Sequence, residues 1–253
     1  MDNKELVIRA VEEKQDLIVD VSDKTFDFAE TGFHEFKTAK LYEEVLKEEG
    51  FSVEMGLAGM PTAFKAVYGE GKPVIGYLAE YDALPELSQK GGLTKRVPTD
   101  DENPDGHGCG HNLLGAGTFA AALAMKAYLE KNPGKGTVVL FGCPSEEKGN
   151  GKTLMARDGI FDGVDVAFTW HPSDTNRVVT TSTLANVSVF FRFKGITSQP
   201  CSRCTASWPQ CTGCRRADER RRQLPERAYH FRCKDSLCLP GRGRHRAECC
   251  PGT

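Results

Sequence analysis

The run Val74-Ile75-Gly76-Tyr77-Leu78-Ala79 is followed directly by Glu80-Tyr81-Asp82. The run lacks the alternating polar residues of a strand with one side in solvent. We therefore predict a strand covered on both faces, which is typical of sheets flanked by helices. The two acidic residues then lie at the carboxyl end of this strand.

Downstream of this run, strand and helix patterns alternate. Residues 138–141 and 166–169 are short apolar runs, and each is expected to be a buried strand. Residues 111–131 form an alanine-rich helix pattern that ends at Asn132-Pro133-Gly134, and a further helix is predicted at about 151–158. The alternation indicates an α/β domain with an open, mostly parallel sheet flanked by helices. Ligands bind such sheets at the carboxyl ends of the strands.

The segment Gly106-His107-Gly108-Cys109-Gly110-His111-Asn112 precedes the predicted long helix. Thiolate and imidazole groups are zinc ligands, and the intervening glycines let the backbone turn close to an ion. A chance cluster in a glycine-rich loop, or a buried Cys109 acting as a small apolar side chain, are the alternatives. Cys109 and His111 are therefore candidate metal ligands.

Adjacent carboxylates follow the predicted strand 138–141. Glu146 and Glu147 would ordinarily be a solvated surface pair, but at a strand end in a crevice two like charges are costly unless a cation neutralises one. One carboxylate could then bind a metal while the other acts as general base.

Two further residues occupy strand ends. His171 follows the apolar run 166–169, where a lone histidine is more often structural. Asp82 could orient a ligand imidazole or could cap a turn. Both alternatives stay open on sequence grounds.

In the rest of the first 198 residues, the spacing of apolar residues predicts surface helices within 4–29 and 38–49 and strands near Val53 and within 64–68. It also predicts a half-exposed strand at 184–194. The last would open a second, smaller domain. The first residues lack a signal-peptide pattern and no run approaches eighteen apolar residues. With only two cysteines before residue 199, we expect a cytoplasmic protein with no membrane partner.

Composition changes sharply near residue 198. Eleven Arg and one Lys against five acidic residues give residues 199–253 a charge of +7, which leaves −9 for residues 1–198, and eight of the ten cysteines also lie in this tail. Its pairs Cys201/Cys204 and Cys211/Cys214 would suit a zinc module, and its arginines a nucleic-acid-binding protein. The tail lacks hydrophobic periodicity, however, and permitted codons allow it to be reread one base along as a sequence with helix and strand patterns. We expect a frameshift near Ser198-Gln199 and a tail that is disordered or only locally structured.

The segments 76–84, 106–115, 142–147, 169–172 and 193–196 resemble the aminoacylase and carboxypeptidase-G type of metallopeptidases, in the amidohydrolase branch whose metal site contains a cysteine. The resemblance covers residues 1–198. It implies an incomplete catalytic domain at 1–183, the first strand of a lid or dimerisation domain at 184–198, and an aberrant tail at 199–253.

The same resemblance implies two divalent metal ions, zinc or manganese. The implied ligands are Cys109, His111, Glu147 and His171, with Cys109 bridging, and Glu146 is the implied general base. A fifth ligand, a histidine, and a lid histidine at the position of Gln199 are expected in the family and absent from this sequence.

The expected activity is hydrolysis of N-acyl or N-aroyl amino acids or of small dipeptides. Members of the family are expected to form homo- or hetero-oligomers through the lid. No nucleic-acid partner is expected. A truncated chain could be inactive. The alternatives are a zinc- or nucleic-acid-binding protein organised by the tail cysteines, and a catalytically dead partner subunit.

Overall fold

A computed structural model describes residues 2–99, 102–149 and 151–178, together with the backbone of two short strands in the tail. The chain divides into two units, Met1–Asn176 and Arg177–Thr253. In the second, the strands Arg232–Cys233 and Ser236–Leu237 pair antiparallel. The predicted strand at 184–194 lies outside the described residues, and so does the rest of the tail, for which disorder or only local structure is predicted.

The elements of the first unit follow one another in a simple order. The helices are α1 (Asn3–Glu13), α2 (Gln15–Phe28), α3 (Phe36–Glu48), α4 (His111–Lys131) and α5 (Gly151–Arg157). The strands are β1 (Ser52–Met55), β2 (Phe64–Glu70), β3 (Val74–Ala79), β4 (Gly136–Gly142) and β5 (Val166–Phe168), and a 3₁₀ turn spans Leu57–Gly59. The helix predicted within 4–29 is two helices, which meet at Lys14.

The five strands form one sheet in the order β1-β2-β4-β3-β5. β3 pairs parallel with both β4 and β5, whereas β2 pairs antiparallel with β1 and β4. The α/β class is confirmed, and the sheet is mixed rather than mostly parallel. The reason is local: the short connection from β1 to β2 returns the chain at once, which makes an antiparallel pair, whereas helices carry the chain between β3, β4 and β5.

β4 is the centre of the core because both of its faces are covered. Val138 and Leu140 face a cluster that includes Tyr42 and Phe119, whereas Val139 and Phe141 face a second cluster that includes Met155. Successive side chains of a strand point to opposite faces, so one apolar run supplies both clusters. The prediction of a fully buried strand is confirmed for β4.

β5 differs from this prediction. All three of its residues are exposed, including Val166 and Phe168. β5 is the edge strand of the described sheet and pairs there only with β3, so its side chains have same-face strand neighbours on one side only. Within the described residues, no helix has the length and apolar character needed to cross a membrane.

Candidate metal centre

The carboxyl ends of the three parallel strands bring the candidate residues to one edge of the sheet. β3 leads into Glu80 and Asp82, β4 leads into Glu146 and Glu147, and β5 leads into His171. Because parallel strands end at a common edge, side chains distant in sequence converge here.

The remaining candidates come from the start of α4. Gly110 has φ +85°, a left-handed conformation that glycine adopts without strain, and the helix begins at the next residue, His111. The Sγ atom of Cys109 lies 3.2 Å from Nε2 of His171. The glycine thus turns the chain so that Cys109 and His111 face the strand ends.

Both imidazoles are oriented through Nδ1. In His111, Nδ1 donates to Oδ1 of Asp82 at 3.0 Å, and in His171, Nδ1 donates to the carbonyl oxygen of Pro172 at 2.9 Å. A neutral ring with its proton on Nδ1 carries a lone pair on Nε2, the arrangement in which imidazole binds metals. The two ring centroids are 5.6 Å apart.

The potential ligand atoms form two groups that share His111. Atoms of Cys109, His111 and His171 all lie within 4.8 Å of one another, and so do atoms of Glu80, His111 and Glu146. Glu147 belongs to neither group, but its Oε1 is 3.9 Å from Nε2 of His111. The structure therefore brings together all four residues expected to bind metal and the residue expected to act as base.

Among the described residues, two buried atoms of this centre find no hydrogen-bond partner: Nε2 of His111 and Oε1 of Glu147. His111 is fully buried, and an unsatisfied buried polar atom costs about 1–3 kcal/mol. Both atoms are good donors to a divalent cation, and the thiol and imidazoles suit zinc. The residues present fit a metal ion.

The pKa values of this centre reflect several carboxylates that lie close together. Burial, together with the hydrogen bond to Glu147 and the charge of Glu147, raises the pKa of the Cys109 thiol to about 12. Burial, together with the charge of Glu80, also raises the pKa of Glu146. A bound cation would reverse these effects, because it favours the ionised forms of thiol and carboxyl groups.

His111 and Asp82 form a coupled pair. Burial alone would lower the pKa of His111, but the hydrogen bond to Asp82 and the charges of Asp82 and Glu80 outweigh it, so this pKa is raised. Burial would raise the pKa of Asp82, but hydrogen bonds from the His111 ring and from the Glu147 N–H hold it below its ordinary value. Of the two roles open to Asp82, the geometry favours orienting the imidazole.

Sequence reasoning missed two members of the centre. Glu80 lies 3.2 Å from Nε2 of His111, and its other carboxylate oxygen accepts a hydrogen bond from Lys152 at the start of α5. Glu80 could have been found, since it stands two residues before Asp82 at the same strand end. Lys152 could not, because no local pattern connects it to the strand.

Comparison with known proteins gives a consistent result. Residues 76–233 match the model of peptidase family M20/M25/M40, a range that extends past residue 198 into the cysteine-rich tail. Over 188 residues, 74% of the chain, the sequence is 48% identical to a p-aminobenzoyl-glutamate hydrolase subunit of Escherichia coli, and covers 39% of that protein. It is 37% identical over 127 residues to the Xaa-Arg dipeptidase of Mus musculus, covering 47% of this chain and 25% of that one.

A solved structure from Bacillus subtilis, described as a dinuclear metal binding peptidase of the M20 family, superposes with a TM-score of 0.53 at 25% identity, over 64% of this chain and 44% of the other. The chain thus spans less than half of the length of each of these three relatives. The family match covers more than half of the present chain and includes every residue of the centre described above. The chain belongs to peptidase family M20/M25/M40.

Proposed function

We propose that this chain forms the metal-binding part of an amidohydrolase that cleaves the amide bond of N-acyl or N-aroyl amino acids, such as aminobenzoyl-glutamate, or of small dipeptides. The observation that carries the proposal is the fully buried His111, whose Nε2 makes no hydrogen bond within the described residues and lies among a thiol, a second imidazole and carboxylates. Membership of a peptidase family and the identity with a p-aminobenzoyl-glutamate hydrolase subunit support the substrate class.

In this proposal Cys109, His111, Glu147 and His171 would hold two divalent ions, zinc or manganese. When bound, such ions polarise a carbonyl group and lower the pKa of an attacking water. The Bacillus subtilis relative described as dinuclear supports the number of ions. The mixed sulfur, nitrogen and oxygen donors favour zinc.

The chain's own residues then supply the proton transfers. Glu146 has a side chain 42% exposed, so it can reach both solvent and a substrate at the mouth of the centre. It would accept a proton from the attacking water and pass it to the leaving nitrogen. Asp82 keeps the Nδ1 proton on His111 and so keeps Nε2 free to bind metal.

The test is release of p-aminobenzoate from p-aminobenzoyl-glutamate by the purified chain loaded with zinc or manganese. Glu146→Gln should abolish hydrolysis and leave the metal content nearly unchanged, because Glu146 is proposed as base and not as ligand. Glu70→Gln, which changes an exposed carboxylate at the end of β2, is the matched control and should keep both. Full hydrolysis by Glu146→Gln would contradict the proposed role.

Two alternatives have their own outcomes. No hydrolysis by a chain that binds metal through Cys109 and His171 would favour a catalytically inactive partner, in line with the Escherichia coli relative being one subunit of a hydrolase. Loss of metal on replacing Cys201 and Cys204 would favour a zinc module in the tail, which lies outside the described residues. A cytoplasmic location remains a prediction from cysteine usage.

A further inference from the structure

The turn that carries Glu146 is held at alternate backbone N–H groups. The N–H of Cys143 donates to the carbonyl of Ala79 at 2.8 Å, where β4 ends beside β3. The N–H of Glu147 donates to Oδ2 of Asp82 at 2.9 Å. Between them, the N–H of Ser145 donates to a side chain from a distant part of the chain.

That side chain is Glu35, in the loop between α2 and α3. Its Oε1 accepts the Ser145 N–H at 2.8 Å, and its Oε2 accepts the hydroxyl of Thr62 at 3.0 Å. Glu35 is completely buried, which is rare for glutamate and occurs almost only where the carboxylate has partners such as these. Burial raises the pKa of Glu35 against the opposing effect of these hydrogen bonds. Such a costly placement calls for a role that an apolar side chain could not fill.

The backbone at the contact point is strained. Ser145 has φ +58°, a left-handed conformation that is uncommon for residues other than glycine. The loop that carries Glu35 lies against this turn so closely that a Cβ on Gly32 would come within 2.5 Å of the Ser145 hydroxyl oxygen. Strained backbone persists only where its surroundings hold it.

We propose that Glu35 is a positioning residue, whose carboxylate fixes the Ser145 turn and thereby sets the direction of Glu146 and the place of Glu147. Glu35 accepts the N–H of Ser145 and Asp82 accepts the N–H of Glu147. Glu146 lies between these two held residues, so its backbone has little conformational freedom. This inference deepens the proposed function and rests on it for the roles of Glu146 and Glu147. Thr62 holds the second oxygen of Glu35 and is in turn anchored by Tyr81, whose hydroxyl donates to the Thr62 carbonyl at 2.6 Å.

The test compares Glu35→Met, which has a similar volume but no hydrogen-bond acceptor of comparable strength, with Glu35→Gln, whose amide can accept from Ser145 and donate to Thr62. Phe51→Leu is the control, since Phe51 packs in the core against Tyr68 next to β1, at the other edge of the sheet from β5. Three quantities are measured on the full chain: zinc affinity, kcat and KM for p-aminobenzoyl-glutamate, and hydrogen exchange of the Ser145 and Glu147 amides in metal-free protein.

Glu35→Met should lower zinc affinity about 10–100-fold, as expected for residues that orient ligands. It should lower kcat more than it changes KM, and it should speed exchange at both amides. Glu35→Gln should restore all three, and Phe51→Leu should change only stability. Wild-type zinc affinity, kcat and amide protection in a folded Glu35→Met would overturn the inference, because the residue would then be merely structural.

If Glu35→Met does not fold, Thr62→Val is used instead, because it removes the hydrogen bond to the second oxygen of Glu35. It should change zinc affinity, kcat and amide exchange in the same directions, each by a few-fold. Unchanged values in Thr62→Val would also overturn the inference. Failure of the proposed function looks different. In that case the wild-type chain would neither bind zinc nor hydrolyse the substrate, while the amides of Ser145 and Glu147 would still lose protection in the Glu35 variant.

Discussion

Replacing Asp82 tests how much of the metal centre depends on a side chain that is not proposed to touch the metal. Asp82 is 1% exposed and serves two donors at once, with Oδ1 3.0 Å from Nδ1 of His111 and Oδ2 2.9 Å from the N–H of Glu147. Both donors belong to proposed metal ligands. We expect Asp82→Ala and Asp82→Asn to weaken metal binding and folding together, in a graded order.

The magnitude follows from the donors left without an acceptor. A buried donor that loses its partner costs about 1–3 kcal/mol. In Asp82→Ala the Glu147 N–H loses its acceptor completely, whereas Nδ1 of His111 keeps the Asp82 backbone carbonyl at 3.1 Å. The expected loss in the free energy of unfolding is therefore roughly 2–4 kcal/mol for alanine. Asparagine retains one acceptor oxygen, so its loss should be about half as large.

Metal binding should fall in the same order. Replacing a residue that orients a metal-binding histidine typically costs about 10–100-fold in affinity, or about 1.4–2.8 kcal/mol. The assays are urea unfolding of the metal-free chain and titration with zinc. Asp158→Asn, an exposed aspartate paired only with the neighbouring Arg157 within the described residues, is the control and should leave both values unchanged. Wild-type zinc affinity in Asp82→Ala would refute the reasoning.

The other predictions concern the Ser145 turn and the tail. Gly32→Ala should lower the free energy of unfolding by about 1–3 kcal/mol, because the new Cβ would meet Ser145 atoms at 2.5 and 2.9 Å; unchanged urea unfolding would show that the loop moves freely. The pKa of Glu35 is raised in the folded chain, so as the pH rises above about 4.5 the unfolded chain loses this proton before the folded chain does. The free energy of unfolding of wild type, relative to that of Glu35→Gln, should therefore fall with rising pH. A rise would contradict the argument that burial raises this pKa. Resequencing codons 195–205 should reveal a shifted reading frame, and an intact frame there would end the frameshift hypothesis.

Much of the fold can be predicted because its signals are local. The helix predicted at 111–131 has those bounds in the structure, and so does the strand predicted at 74–79. The antiparallel half of the sheet is not predictable in this way, since it depends on how β2 pairs with β4, which lies far along the chain. The exposure of β5 escapes prediction too, because an apolar run shows its composition and not its neighbours.

The centre is predictable to the extent that its residues follow strand ends or open the long helix. Cys109, His111, Glu146, Glu147 and His171 are all identified from such positions and from the family resemblance. The residues that support them come from elsewhere: Glu35 from a loop before α3, and Lys152 from the start of α5. Their roles arise only when distant segments meet, and a single sequence carries no sign of such contacts.

The most direct test of the metal centre is anomalous X-ray scattering from crystals of the chain grown with zinc. Two peaks are expected at the carboxyl edge of the sheet, with the Sγ of Cys109 and Nε2 of His111 and His171 about 2.0–2.3 Å from one or other ion. Zinc bound elsewhere on the chain, with these atoms left without metal, would contradict the account.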